Sequence, residues 1–224
     1  MTFSISARCA ETGMFGIAIS SSSPAVAARC AHAKAGVGVV ASQNITDPVL
    51  GQRGLVLLGE GLSAEETLTE LLDGYAFADF RQLAIIDRRG GTAAYSGTNA
   101  LGVFSTHEGK NCVAAGNLLA TPDVPREMVR AFEAATGHLG DRLLTAMNAA
   151  LAAGGEAGPV HSAGMLIVDK VSWPVADLRV DWHEADPIAA LQELWAIYKP
   201  QLDAYVTRAL DPTEAPSYGV PGDL

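Results

Sequence analysis

Cysteine, aromatic and basic residues are all scarce in this chain of 224 residues. Cys9, Cys30 and Cys112 are odd in number and none stands in a CxxC spacing, so neither a disulfide framework nor a cysteine-based zinc site is indicated. As small apolar side chains they are expected to be buried and unreactive. Aromatic residues make up 6% against 49% hydrophobic overall, so the core has to come from Ala, Val, Leu and Ile. Lysine and arginine number 15 against 25 acidic residues and form no run. A net charge of −10 lacks the clustered basic face that nucleic acid requires and is repelled by anionic lipid. The longest apolar runs, such as 36–41, fall short of the roughly 20 residues that span a bilayer. No charged segment followed by an apolar one opens the chain, so no signal peptide is read. A soluble, cytoplasmic protein with no nucleic-acid or membrane partner is expected.

Cofactor motifs are absent or fail on context. Gly36-Val37-Gly38-Val39-Val40-Ala41 matches a dinucleotide fingerprint by letter, but its glycines lead into β-branched residues that continue a strand instead of opening a helix. His161-Ser162-Ala163-Gly164 misses the nucleophile-elbow pattern at its first glycine. No HExxH, Walker A or EF-hand pattern is present, and the five histidines show no helical pairing. No metal or organic cofactor is expected. His138 and His183 read as surface residues and His107 as a loop residue; His161, before a strand and beyond a Gly-rich loop, is a candidate binding residue.

What is present is patterning. Phe3, Ile5 and Ala7 alternate with Ser4, Ser6 and Arg8, predicting a half-buried strand, and 14–20 returns from the 11–13 turn as its hairpin partner. Residues 25–34 are Ala-rich and can be helical; 36–42 reads as a buried strand. Helices are predicted over 48–58, over 63–72 behind a Ser63–Glu66 capping box, and over 124–135, 139–153 and 187–199. Strands are predicted over 82–87, 92–96, 111–115, 165–168 and 178–181. Strands and helices come in runs, which favours an α+β fold with antiparallel sheets. One domain is expected over 1–206, followed by a Pro-containing tail over 207–224. Ile188, Leu191, Leu194, Trp195 and Tyr198 give the 187–199 helix an apolar stripe that points to a homo-oligomer.

The second residue carries chemistry. If Met1 is trimmed, Thr2 bears a hydroxyl and a free α-amine, and an amine of pKa roughly 7.7–8.0 can activate that hydroxyl as its base. The opening MTFSISARCAETGMFGIAIS, then SSSPAVAARCAHAKAGVGVVASQNITDP, GQRGLVLLGEGLSAEETL and VAAGNLLA at 113–120 follow one another over about half the chain. In this combination the chain resembles the DUF1028 family, whose fold looks like that of the N-terminal nucleophile hydrolases. The resemblance implies a four-layer αββα sandwich whose first strand leads its first residue into a cleft between two antiparallel sheets. It implies Thr2 as nucleophile, with Ser20, Ser21, Ser22 and Ser23 beside it, and Ser42, Gln43 and Asn44 ending a neighbouring strand. Gly116-Asn117 is the oxyanion-hole candidate; an ordinary strand-to-helix turn explains the pair equally well. Arg53 either holds a substrate carboxylate or lies on a helix surface. The first lysine is Lys34, so none stands near the amino end. Two functions follow as expectations: an amidohydrolase cleaving a C–N bond of a small polar metabolite, or a non-catalytic binding or assembly protein that kept the fold.

Overall fold

The computed structural model describes residues 1–219. The alternating opening forms β1 (Thr2–Arg8), and a turn through Gly13, at a φ of 81° that favours glycine, returns the chain as β2 (Phe15–Ser21). The stretch read as helical over 25–34 splits. Its helix, α1 (Val26–Cys30), lasts five residues, and β3 (Ala31–Lys34) then pairs with β4 (Gly38–Asn44). Cross-strand pairing here overrides alanine's helix propensity.

Asp47 caps α2 (Pro48–Glu60) by accepting from the Val49 N–H, and Pro48 sits in the first turn where its missing donor is harmless. Helix α3 (Ala64–Leu72) carries the expected capping box: the Ser63 hydroxyl accepts from the Glu66 N–H, and the Glu66 carboxylate from the Ser63 N–H. Ser63→Ala is expected to cost about 1 kcal/mol, read as a lower urea midpoint with an unchanged slope.

Next come β5 (Arg81–Asp87), β6 (Thr92–Ser96), β7 (Ser105–Gly109) and β8 (Cys112–Asn117). His107 therefore lies on a strand, not in a loop; β7 is a polar edge strand without apolar alternation. Helices α4 (Val124–Ala134) and α5 (Leu139–Ala152), strands β9 (Ser162–Val168) and β10 (Ala176–Val180), and helix α6 (Pro187–Tyr198) complete the expected order. Pro200 ends α6 in a 3-10 turn, but the chain resumes as α7 (Leu202–Leu210), so the boundary expected at 206 falls inside a helix. Part of the 207–224 tail, residues 220–224, lies outside the described residues.

Two antiparallel sheets result, one in the order β10-β9-β2-β1-β8-β7 and one in the order β3-β4-β5-β6. Helices α4, α5 and α6 cover the outer face of the six-stranded sheet, where Phe3 and Ile5 meet Met128, Phe132, Leu143 and Met147. Helices α2 and α3 cover the outer face of the other, packing Leu50, Leu58 and Leu71 against Val40, Leu83 and Ile85. Between the sheets, Phe15 and Ile17 of one meet Val39, Ala41, Ala84 and Ile86 of the other. This is a four-layer αββα sandwich.

Layering corrects two expectations. Strand β1 is buried on both faces, because the second sheet covers the side bearing Ser4 and Ser6. The apolar stripe of α6 packs inward: Ile188, Leu191 and Trp195 are buried against the molecule's own sheet and α5, with Leu194 and Tyr198 half-buried beside them, so the stripe is not the exposed face from which an oligomer was expected. His138 is half-buried, capping α5 and lying against Trp195, and not a plain surface residue. The three cysteines are buried and unpaired. Burial pushes the thiols of Cys30 and Cys112 up, the latter to about 12. At Cys9 burial is outweighed by hydrogen bonds from Thr12 and Glu11, and the thiol is held below its usual value. Among the described residues no helix is long and apolar enough to cross a membrane.

Candidate active site

Strand β1 lies inside the six-stranded sheet, with β2 on one side and β8 on the other. Thr2 is therefore fixed opposite Asn117, and Phe3 opposite both Ser20 and Gly116. A chain terminus is usually loose; here Thr2 is held by the β8 ladder and the next residue, Phe3, by ladders on both sides. The starts of β1, β5 and β9 and the ends of β2, β4, β6 and β8 meet at this end of the sandwich.

The Thr2 side chain is buried. The hydroxyls of Thr2 and Ser21 both donate to the Met1 carbonyl, and the two oxygens lie 3.4 Å apart. The Ser23 N–H donates to Ser21 Oγ at 3.0 Å and orients that hydroxyl. A carbonyl group thus already sits against the Thr2 hydroxyl, with a second hydroxyl on the same oxygen.

Behind Thr2 a chain of buried amides crosses from one sheet to the other. Ser4 Oγ donates to Gln43 Oε1 at 2.7 Å, and Gln43 Nε2 donates to Gln82 Oε1 at 2.8 Å. Asn117 Nδ2 donates to the same Gln82 oxygen at 3.0 Å. Gln82 Nε2 donates to Ser96 Oγ and to the Gly116 carbonyl, each at 2.9 Å. Every capacity of the Gln82 amide is filled, as buried polar networks require. The network fixes the Asn117 amide and leaves its second N–H unspent by that bond.

Glu156 joins this end from the 154–158 loop between α5 and β9. It is 5% exposed, and its carboxylate oxygens lie 3.2 and 3.3 Å from the Ser22 backbone nitrogen, which donates to them. Burial pushes its carboxyl up to about 7, against the opposing pull of the amino-terminal charge and the Ser22 hydrogen bonds. Backbone bonds pin the loop on both sides: Ala120 N–H to Gly155 O at 3.0 Å, and Ala157 N–H to Leu118 O at 2.9 Å. Leu118 itself holds a left-handed φ of 51°, an uncommon conformation for a leucine and one met at functional turns.

The remaining residues of interest scatter in role. Ser20 Oγ donates to the Ser162 carbonyl and is part of the framework. Ser22 and Ser23 act through their backbone N–H groups. Ser42 Oγ donates to the Asp47 carbonyl. Gln43 reaches Thr2's neighbour Ser4, not Thr2. Asn44, at a φ of 70°, ties the Phe80 carbonyl and the Leu101 N–H together at the rim. Gly116 is small for a packing reason, since a Cβ there would stand 2.6 Å from Leu119 Cδ2. Arg53 lies on exposed α2 and donates to the Glu70 carbonyl of α3, on the outer helical layer, so it is a helix-surface arginine and holds nothing at Thr2. The His161 ring stacks on Trp182, with Nδ1 3.0 Å from the His183 carbonyl, while its backbone N–H donates to Ser21. Gln82 and Glu156 were not marked by the sequence: a polar residue in a strand and a lone Glu in a Gly-rich loop carry no signature. Among the described residues, no lysine or arginine side chain bonds Thr2, Ser21, Asn117 or Glu156, and no cluster of His, Cys, Asp and Glu could hold a metal ion.

No curated protein matches the chain. Among solved structures, protein SPO2555 from Silicibacter pomeroyi, itself assigned to DUF1028, is 30% identical over 91% of this chain and 89% of its own, with a TM-score of 0.84. Far weaker likenesses are to Anbu (ancestral beta-subunit) from Yersinia bercovieri, 12% identical over 91% of this chain and 97% of that one at a TM-score of 0.41, and to Anbu from Hyphomicrobium sp. strain MC1, 11% identical over 92% and 98% at 0.39. The model of DUF1028, a family of unknown function, matches residues 2–191, and with a structural relative of this closeness the chain belongs to that family.

Proposed function

We propose that the protein is an amidohydrolase whose nucleophile is the Thr2 hydroxyl, exposed when Met1 is removed. The observation that carries this reading is the place of Thr2 at the start of a strand fixed on both sides, its hydroxyl 3.4 Å from that of Ser21 and its backbone opposite the buried Asn117. Thr2 Oγ1 attacks the substrate carbonyl carbon while its proton passes to the Thr2 α-amine. The developing oxyanion receives the second N–H of Asn117, whose first is spent on Gln82. Collapse breaks the C–N bond; the amine proton goes to the leaving nitrogen, and an ester on Thr2 is left. Water, deprotonated by the α-amine, then frees the acid and restores the hydroxyl. A small polar amide suits a site closed in by buried side chains. A substrate carboxylate finds no arginine there, since Arg53 is on the outer layer.

The test is a screen of small amides for ammonia or amine release, on protein whose intact mass shows Thr2 at the amino end. At least one compound should be turned over, and Thr2→Ala should reduce that rate about 10⁴-fold or more with an unchanged unfolding midpoint. Equal rates from both proteins would place the chemistry elsewhere. Tight binding of a compound without turnover would favour the non-catalytic reading.

A further inference from the structure

Glu156 is a charged group for which the steps above have no task, yet the fold goes to some length to bury it. Gly154 and Gly155 take φ values of 110° and 59°, and bonds to Leu118 and Ala120 clamp the loop on either side of the carboxylate. One position further on, at Ala157, it would have stood in water. Instead it is 5% exposed, holds one backbone N–H, and has no cationic side chain beside it among the described residues. A carboxylate buried in this way is expensive unless a positive group is meant to meet it.

Position identifies that group. The β1–β2 ladder pairs Phe3 with Ser20, so its continuation sets Met1 beside Ser22, and Ser22 is the residue whose N–H the carboxylate holds. The carboxylate therefore stands one residue beyond Thr2, and among the described residues the amino-terminal charge, carried here by Met1, is the charged group that acts on it. The Met1 side chain lies against Gly158, where a Cβ would come within 3.3 Å of Met1 Cε, and Glu156 and Gly158 both line an adjoining cavity of about 240 Å³. Loss of Met1 clears space beside Glu156.

Resting on the reading of Thr2 as nucleophile, we infer that Glu156 is a positioning residue for the Thr2 α-amine. It accepts one amine N–H and thereby turns the amine's lone pair toward Thr2 Oγ1. The other titratable groups near this end, among the described residues, are engaged elsewhere. Asp186, across the cavity, caps α6 through the Ile188 and Ala189 N–H groups. His161 is stacked on Trp182, the Cys30 thiol is paired with Thr46, and Arg29 donates to the carbonyls of Pro24 and Ala25.

The test follows the titration of the Thr2 α-amine itself, through its ¹³Cα shift, in protein lacking Met1. An anionic neighbour raises an amine's pKa, so Glu156→Gln should lower the Thr2 value by about one unit, and Glu156→Asp should recover part of it. The acid limb of kcat/KM should move to lower pH by the same amount. In the unmutated protein, acetylating the α-amine should raise the Glu156 carboxyl titration, a measurement that needs no variant to fold. An amine pKa equal to within about 0.2 units in folded wild-type and Glu156→Gln protein, or a Glu156 titration indifferent to acetylation, overturns the inference. Coupling seen in a protein that turns over nothing leaves Glu156 in place and removes the hydrolase instead.

Discussion

A protein forced to keep Met1 will turn over no faster than Thr2→Ala, although its threonine hydroxyl is intact. Retention converts the α-amine into an amide, which accepts no proton, and leaves the Met1 carbonyl bonded to the hydroxyls of Thr2 and Ser21. The nucleophile loses its base and its access together, so the expected loss is again about 10⁴-fold or more. Thr2→Ser, with hydroxyl and amine both present, should keep part of the rate. In the trimmed protein the rate should rise with pH as the amine deprotonates, over a range that the Glu156 carboxylate moves above the intrinsic pKa of roughly 7.7–8.0. Four mass-verified preparations check these statements by their rates: the unmutated chain with Met1 kept, the same chain with Met1 removed, and trimmed Thr2→Ser and Thr2→Ala. Full activity with Met1 kept would end the argument for a threonine acting through its own amine.

Gln82→Leu should be the most damaging single substitution in the interior. The Gln82 amide is fully buried and makes four hydrogen bonds, to Gln43, Asn117, Ser96 and the Gly116 carbonyl. A leucine fills the volume and strands Gln43 Nε2, Asn117 Nδ2 and a backbone carbonyl away from water. At about 1–3 kcal/mol for each of the three unsatisfied buried groups, the loss is about 3–9 kcal/mol. That is a large part of the ~5–15 kcal/mol that holds a domain together. Equilibrium urea unfolding reads it. The same substitution frees the Asn117 amide to turn, so turnover per folded molecule should fall as well. A loss under about 1 kcal/mol would show that the network is replaceable.

The fold was legible where side chains repeat with a period. Phe3, Ile5 and Ala7 announce β1, and Ser63 with Glu66 announces α3, because alternation and capping are local facts. β7 was hidden because its residues, Ser-Thr-His-Glu-Gly, bury little on either face, and β3 because alanines do not distinguish a strand from a helix. Ser4 and Ser6 looked solvent-facing, since nothing local tells a strand that a second sheet will cover it. The same blindness concealed Gln82: its meaning lies in partners 35 and 39 residues away along the chain. Thr2 stands out in the sequence by its position behind Met1 and by the family resemblance, whereas Glu156 stands out only when a distant loop folds back on the first strand. For Arg53 the sequence leaves a substrate site and a helix surface open, because nothing local says which way a helix will face; in the fold α2 carries it outward.

The central place of β1 has a consequence in time. One of its neighbours, β2, is made almost at once, but the other, β8, begins 110 residues after Thr2 (112 minus 2). At ~5–20 residues synthesised per second, the first strand waits roughly 5–20 s for its second partner. During that interval the amino end hangs on one hairpin and is open to any aminopeptidase; afterwards Met1 is bonded in place and Thr2 is 6% exposed. If Met1 is trimmed, the fold therefore favours trimming before β8 arrives, and the expected first residue of the finished protein depends on the timing of a strand half the molecule away.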